Sequence, residues 1–270
     1  MSAPLGPRHQ RVKRLRDLIR DPKARRAEGV FVIEGPKLLD AALEHGIPLE
    51  SFYLAPGAER AFAPLVARLR ASGAPDEGLK EGVLERIGDT VTPQPVLAVA
   101  RIPAASLDEL SDSEAVRARP VVVAVEVQDP GNAGTIVRSA EAAGAAGVVF
   151  CGNSVDPFAP KVVRSTAGAI FGIPIVEADD PVNVLDALGA RGRRRLGTVT
   201  TGGGPIDDVD LTVPVALVVG NEAHGLPAAI GPALDATVTI PIEPAAESLN
   251  VAMAATVLLF EAARQRRGRP

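Results

Sequence analysis

The sequence predicts an α/β protein in two parts, the second built on a mostly parallel sheet. Three observations carry this. Short apolar runs alternate with helical patterns along most of the chain. Val121-Val122-Val123-Ala124-Val125-Glu126-Val127 is a nearly unbroken β-branched run, as in a strand buried on both faces of a parallel sheet. A stretch at 101–119, carrying Pro, Ser, Asp and Glu, separates the two patterns and reads as a linker. The parts are then 1–100 and 120–270, a division that suits 270 residues.

The elements follow in order. Residues 8–20 space Val12, Leu15, Leu18 and Ile19 as one face of an amphipathic helix. Strands are expected at 30–33 and 51–55. Helices are expected at 37–44, where Pro36 suits the first turn, and at 59–71. A short helix at 83–87 and a strand at 96–100 complete the first part. In the second, the strand at 121–127 leads through Asp129-Pro130-Gly131-Asn132 into a helix at 133–143, stopped by Gly144. Strands at 148–151, 173–176, 196–200, 215–219 and 237–242 alternate with helices at 161–170, 182–188 and 227–230. A last helix covers 249–266.

Composition excludes several classes. At 46% hydrophobic and 23% charged the chain can bury a core and is not disordered. With 3% aromatics and no Trp, composition argues against single-strand binding on stacked aromatics. The lone Cys151 excludes a disulfide framework and a Cys/His zinc site, and reads as a packing residue in an apolar strand. No apolar run is long enough to cross a membrane and the start is basic without an apolar leader. The expectation is a soluble, cytoplasmic protein with no metal and no membrane partner.

The net charge is −4, yet nine Lys and Arg face only Asp17 and Asp21 before residue 27. Two readings stay open: a basic arm that anchors phosphates, or a solvated amphipathic helix. Arg191, Arg193, Arg194 and Arg195 form a second basic cluster, and Arg264, Arg266, Arg267 and Arg269 a third.

Ligands of parallel α/β sheets bind beyond the carboxyl ends of strands. Three such ends are rich in Gly and polar residues: Asn132 through Arg138, Gly220-Asn221-Glu222 with Gly225, and Ser248-Leu249-Asn250 opening the last helix. No dinucleotide fingerprint, phosphate loop or nucleophile elbow occurs. Read singly, Arg138 is a surface Arg, Asn132 and Ser248 are helix caps, and Glu222 is a solvated acid.

Together, in this order, the segments resemble motifs 1, 2 and 3 of the SpoU (TrmH-type) RNA 2′-O-methyltransferases of the SPOUT superfamily. The resemblance spans about 120–266 and includes Arg164-Ser165-Thr166-Ala167-Gly168-Ala169. Residues 24–100 are similar to the L30e-like substrate-binding domain often fused ahead of that domain, through 25–41 and Thr90-Val91-Thr92-Pro93-Gln94. The resemblance implies a deep C-terminal trefoil knot, one of the few exceptions to the rule against knots. It implies S-adenosyl-L-methionine as cofactor, against Gly220, Ile240, Leu249 and, on a third loop, Thr200. It implies methylation of a ribose 2′-hydroxyl of 23S rRNA by a homodimer. Arg138 is the implied catalytic residue, with Asn132 and Asn250 positioning groups around it, Glu222 orienting them and Ser248 bonded in the same cluster. Two roles stay open for Arg138: the general base that the resemblance implies, or, because a guanidinium holds its proton, a group that stabilises a developing alkoxide and clamps a phosphate. A non-catalytic RNA-binding or ribosome-assembly factor on the same fold and an antibiotic-resistance rRNA methyltransferase are the alternatives.

Overall fold

The computed structural model describes residues 3–88 and 93–268. Thr90, Val91 and Thr92 of the weaker motif, and Arg269 of the third basic cluster, lie outside the described residues. The chain forms two compact units, Met1–Pro103 with Phe158–Phe171, and Ala104–Pro157 with Gly172–Pro270.

The first unit runs α1 (Gln10–Arg20), α2 (Pro22–Glu28), β1 (Val30–Glu34), α3 (Pro36–Glu44), β2 (Leu49–Leu54), α4 (Ala58–Ala61), α5 (Ala63–Ala71), β3 (Asp76–Gly78), α6 (Val83–Ile87) and β4 (Val96–Arg101). Its sheet order is β1-β4-β2-β3, with β4 antiparallel to β1 and β2, and β3 parallel to β2. The helix expected at 59–71 is two helices, because Pro64 is tolerated only in a first turn. The segment Phe158–Phe171 packs here too. The Phe158 ring lies 5.2 Å from that of Phe31, and Arg164 donates to the buried Glu34 carboxylate at 2.7 Å.

The basic segment before residue 27 is folded structure, not a free arm. Val12, Leu15, Leu18 and Ile19 of α1 are buried with Val30 and Val32 of β1. Arg25 is buried and donates to the Leu18 and Ile19 carbonyls at 2.6 and 3.2 Å, satisfying the open end of α1. Arg14 bonds Glu28 and Glu50 at 2.6 and 2.7 Å, and Arg11 pairs with Glu77. Arg8, Lys13, Arg16, Arg20 and Lys23 remain exposed.

The second half of the chain contributes α7 (Glu114–Arg117), β5 (Val121–Val125), α8 (Pro130–Ala142), β6 (Gly147–Cys151), α9 (Pro160–Ser165), β7 (Ile175–Ala178), α10 (Pro181–Ala190), β8 (Arg194–Thr198), β9 (Gly204–Pro205), β10 (Val215–Val219), β11 (Ala236–Thr239) and α11 (Val251–Arg267). Of these, α9 lies in the Phe158–Phe171 segment of the first unit. The seven strands form a parallel sheet ordered β7-β6-β5-β10-β8-β11-β9. Val121, Val123, Val125, Val149 and Val218 carry its core, with Leu185 and Leu188 of α10 packed on it. The helix expected at 161–170 stops at Ser165, because Ala167 and Gly168 take φ of +52° and +102°. The strand expected through Val127 stops at Val125, because Glu126 turns to φ +55°. The short helix at 227–230 is a 3-10 turn at Ala228–Ala233, and the strand at 237–242 ends by Thr239.

Residues 104–119 are more than a tether. Leu110 is fully buried in the core of the second unit, and the Arg193 guanidinium, 2% exposed, fixes the segment to the sheet. It donates to the carbonyls of Arg119 at 2.7 Å, Val215 at 3.3 Å, Val116 at 3.4 Å and Leu110, and to the Ser111 hydroxyl at 3.3 Å. Burial, with nearby Arg117, pulls its pKa down to about 10, so it stays charged at neutral pH. Arg193→Met strands these acceptors. With ~1–3 kcal/mol for an unsatisfied buried polar group, the loss is about 3 kcal/mol. For a unit of this size that lowers Tm by about 6–12 °C. Thermal denaturation followed by circular dichroism measures it; a drop under 2 °C would mean that Leu110 alone docks the segment.

Candidate active site

Because β5, β10, β8 and β11 are parallel, the loops that follow them gather at one end of the sheet. There the loops after β8, β10 and β11, with the start of α11, surround a cleft of about 510 Å³. Thr200, Gly220, Ile240 and Leu249, the four residues expected against a cofactor, all line it, as do Glu222 and Ser248. Its volume is that of a small-molecule site.

Two features of the cleft go beyond the residue pattern. Gly220 lines the cleft, and the space its missing side chain leaves is filled by the protein's own backbone. A Cβ there would lie 2.3 Å from the Gly225 carbonyl carbon and 2.6 Å from the Leu226 nitrogen. The loop doubles back, with Asn221 and Gly225 exchanging N–H···O bonds at 2.9 Å, and only Gly permits that closure. The second feature is Thr198, which the sequence reading missed. Its Oγ1 is buried and has no hydrogen-bond partner among the described residues, and it lines the cleft. The available signal was a hydroxyl residue at the carboxyl end of a strand of the parallel sheet, where ligands bind.

The three motifs are joined by one chain of side-chain hydrogen bonds. Asn250 is the N-cap of α11, its Oδ1 accepting from the N–H groups of Ala252 at 2.9 Å and Met253 at 3.3 Å. Its Nδ2 donates to Asn132 Oδ1 at 2.9 Å, and Asn132 Nδ2 donates to Glu222 Oε1 at 3.0 Å. Glu222 also accepts from the N–H groups of Asp129 at 3.0 Å and Gln128 at 3.3 Å. Partial burial pushes the Glu222 carboxyl up, but the bonds from Asn132, Asp129, its own N–H and Gln128 prevail and hold it below the usual carboxylate range. The cap of α8 is Asp129, which accepts from the Asn132 N–H at 2.9 Å. The Asn132 side chain is therefore free for the relay. Asn221 Nδ2 donates to the Glu126 carbonyl at 2.9 Å, so the left-handed turn at Glu126 also ties the first motif to the second.

Two implied residues stand apart from this relay. Ser248 lines the cleft but makes no hydrogen bond among the described residues, so it is neither cap nor member of the cluster. Arg138 is exposed on α8, is not part of the cleft wall, and has no hydrogen bond or ion pair among the described residues. Its neighbour Ser139 meets Thr256 Oγ1 at 2.6 Å, so Arg138 emerges beside the seam between α8 and α11. His224 is exposed at the cleft, with its backbone N–H bonded to Asn221 Oδ1.

Residues 119–260 match the model of the SpoU rRNA Methylase family, and residues 9–98 that of the MRM3-like substrate binding domain. The chain is 34% identical over 265 residues to the 23S rRNA (uridine(2479)-2′-O)-methyltransferase of Streptomyces viridochromogenes, covering 96% of this chain and 91% of that one. It is 35% identical over 254 residues to the 23S rRNA (guanosine(2553)-2′-O)-methyltransferase RlmP of Bacillus subtilis, covering 94% and 96%. The crystal structure of the SpoU methyltransferase AviRb from S. viridochromogenes with AdoMet superposes with a TM-score of 0.88 at 32% identity, over 97% of this chain and all of that one. The chain belongs to the SpoU rRNA methylase family.

Proposed function

We propose that the protein is an S-adenosylmethionine-dependent RNA 2′-O-methyltransferase acting on 23S rRNA. The observation that carries this is the Glu222–Asn132–Asn250 relay, which joins three motif loops beside a cleft of small-molecule size. The cleft fits the cofactor. Ile240 and Leu249 offer apolar walls, and the unpartnered Thr198 hydroxyl offers a hydrogen bond that the protein leaves unused. When bound, S-adenosylmethionine supplies a methyl group made electrophilic by its cationic sulfur.

The remaining work falls to this chain. Glu222, kept ionised, fixes the amide of Asn132, and Asn250 fixes it from the other side. Arg138 has an uncommitted guanidinium, able to meet the ribose oxygen as it loses its proton and to hold an adjacent phosphate with a planar fork. Exposed Arg8, Lys13, Arg16, Arg20 and Lys23 suit the first unit to RNA phosphates. Among the described residues no helix is long and apolar enough to cross a membrane. An rRNA substrate suits a cytoplasmic site of action.

A homodimer is part of the same reading. The face of α11 that packs inward uses Ala255, Leu258 and Leu259. Its outer face leaves Met253, Val257 and Phe260 at 52%, 41% and 43% exposure, one helical stripe continuous with exposed Leu249. A second copy covering this stripe would lie beside Arg138 and the cleft. Phe260→Glu is expected to shift the mass seen by light scattering at micromolar concentration from dimer to monomer; a dimer that persists places the interface elsewhere.

Single-turnover transfer of labelled methyl groups to a 23S rRNA transcript tests the activity. Arg138→Ala is expected to lose on the order of 10²–10³ in rate, while calorimetry shows cofactor affinity unchanged. Ile240→Trp is expected to lose that affinity by filling the cleft. Cofactor binding without transfer by the wild type would leave an RNA-binding factor instead. The relay also has a pH signature. Glu222 has a lowered folded pKa, so the stability it adds is complete above its ordinary value of 4.5 and is lost as pH falls through the lower one. The Asn132 side-chain amide resonances should hold constant from pH 8 to 5 and move only below about 4.5; movement near neutrality would mean that another group controls the relay.

A further inference from the structure

The structure divides the two late Arg clusters sharply. Arg191 pairs with Asp108, and Arg195 bonds Asp235 through Nη2 at 2.7 Å and Nε at 2.9 Å. Arg193 is spent on carbonyls, and Arg264 pairs with Glu261 at 2.7 Å. Arg194 is exposed and near enough to Asp235 to help lower its pKa. Arg266 and Arg267 at the end of α11 are left over, and Arg119, before β5, joins them. None has an ion pair among the described residues. Arg266 is half-buried. Its Nη2 donates to the Ala143 carbonyl at 2.9 Å, while its Nη1 is buried without a hydrogen-bond partner. The Ala146 N–H donates to the Pro120 carbonyl at 2.8 Å, which brings the entry to β5, with Arg119, beside the Ala143 turn that Arg266 holds; there the charges of Arg119 and Arg267, after burial, lower the Arg266 pKa.

Ordinary structural reasons do not account for this group. The dipole of α11 favours cations in its last turn, which suits Arg266 and Arg267. It does not place Arg119, from another segment, against them. A chain of net charge −4 has acids to spare, and it supplies Glu261 to Arg264 one turn away but none here. The free protein therefore holds like charges together, with one buried N–H unmet, at a cost that a polyanion would offset.

We propose that Arg119, Arg266 and Arg267 form a second phosphate-binding surface that holds the RNA backbone at the end of the sheet opposite the cleft. The inference rests on the methyltransferase reading above and extends it to a distant part of the substrate. Arg119 precedes β5, whereas the cleft follows β10 and β8, which run parallel to β5. Along α11, Val251 lines the cleft and Arg267 lies sixteen residues on, about 25 Å away at the rise of an α-helix. An RNA that reaches both points must be an extended or folded segment rather than the target nucleotide and its immediate neighbours. Phosphates here carry no sequence information; they set the register of the RNA on the enzyme.

The test uses Arg119→Ala/Arg267→Ala, two exposed positions outside the cleft and core. Binding to a 23S rRNA transcript is measured from 50 to 200 mM salt. With ~0.7–0.9 per phosphate contact in the slope of log K against log salt, the double variant should lose about 1.5 from that slope and bind less tightly throughout. Calorimetric affinity for S-adenosylmethionine should stay unchanged. Its Tm without RNA should equal or exceed that of the wild type, because like charges have been separated. An unchanged slope and affinity, in a preparation whose wild type methylates the transcript, would overturn this inference while leaving the methyltransferase reading intact. A wild type that neither binds nor methylates the transcript would overturn both. Inorganic phosphate separates the remaining case: if millimolar phosphate stabilises the wild type but not the variant, and RNA affinity is equal in both, the site takes a small anion and the RNA assignment falls.

Discussion

The direction of one hydrogen-bond chain constrains the whole candidate site. Asn250 must give its side-chain oxygen to α11, because the first N–H groups of a helix have no partner within it. Only its NH₂ is then left to face Asn132. That choice turns the Asn132 oxygen toward Asn250 and its NH₂ toward Glu222. Glu222 in turn faces nothing but donors, so it must be an ionised acceptor. An amide at 222 would set NH₂ against N–H, and an acid at 132 would break the relay in the middle. Three motifs far apart in sequence are thereby fixed by the rule that each donor needs an acceptor.

The sheet makes this meeting possible. Placing β10 between β5 and β8 brings the loops after β5 and β10 side by side, and the chain returns from β11 to lay α11 on α8. The doubling back of Gly220–Leu226 and the left-handed turn at Glu126 are local distortions at the ends of these strands. Strain of this kind collects at functional sites because the surrounding packing must hold it in place. Here that packing is a run of fully buried Val and Ala residues in β5 and β10.

Most of the fold could be read from the sequence, and the parts that could not have definite physical causes. Continuous β-branched runs gave the central strands, and Val83–Ile87 and Val215–Val219 match their expected bounds. Two of the misplaced ends fall where the backbone leaves ordinary regions. Residues 126 and 167 carry side chains that rarely take positive φ, so nothing in residue type announced the ends of β5 and α9. The segment at 104–119 looked like a linker because its polar composition hides one decisive apolar residue, Leu110, and its anchor, Arg193, comes from a distant stretch. The site residues were legible as motifs, and their presence at one strand-end cleft follows from parallel topology. Their partners were not. That Asn132 is a relay residue rather than a cap depends on Asp129 already filling the cap, a competition that spacing does not decide.

What the isolated chain leaves unsatisfied is as informative as what it satisfies. A folded protein pairs nearly all its buried polar groups and covers most of its large apolar surface. This one departs from that rule in separate, recognisable ways. Thr198 holds a buried hydroxyl without a partner inside the cleft. Met253, Val257 and Phe260 present an apolar stripe on α11. Arg266 keeps an unmet N–H among like charges. The chemistry of each deficit names a different complement: a small polar ligand, an apolar helix face, and a polyanion. Random imperfection would scatter such deficits over the surface. Here Thr198 lies on the cleft wall and the other two on α11, the helix that the relay anchors through Asn250. A single helix thus joins the cofactor side, the apolar face and the basic end, so a force applied at any one of them acts on the element that holds Asn250 in place.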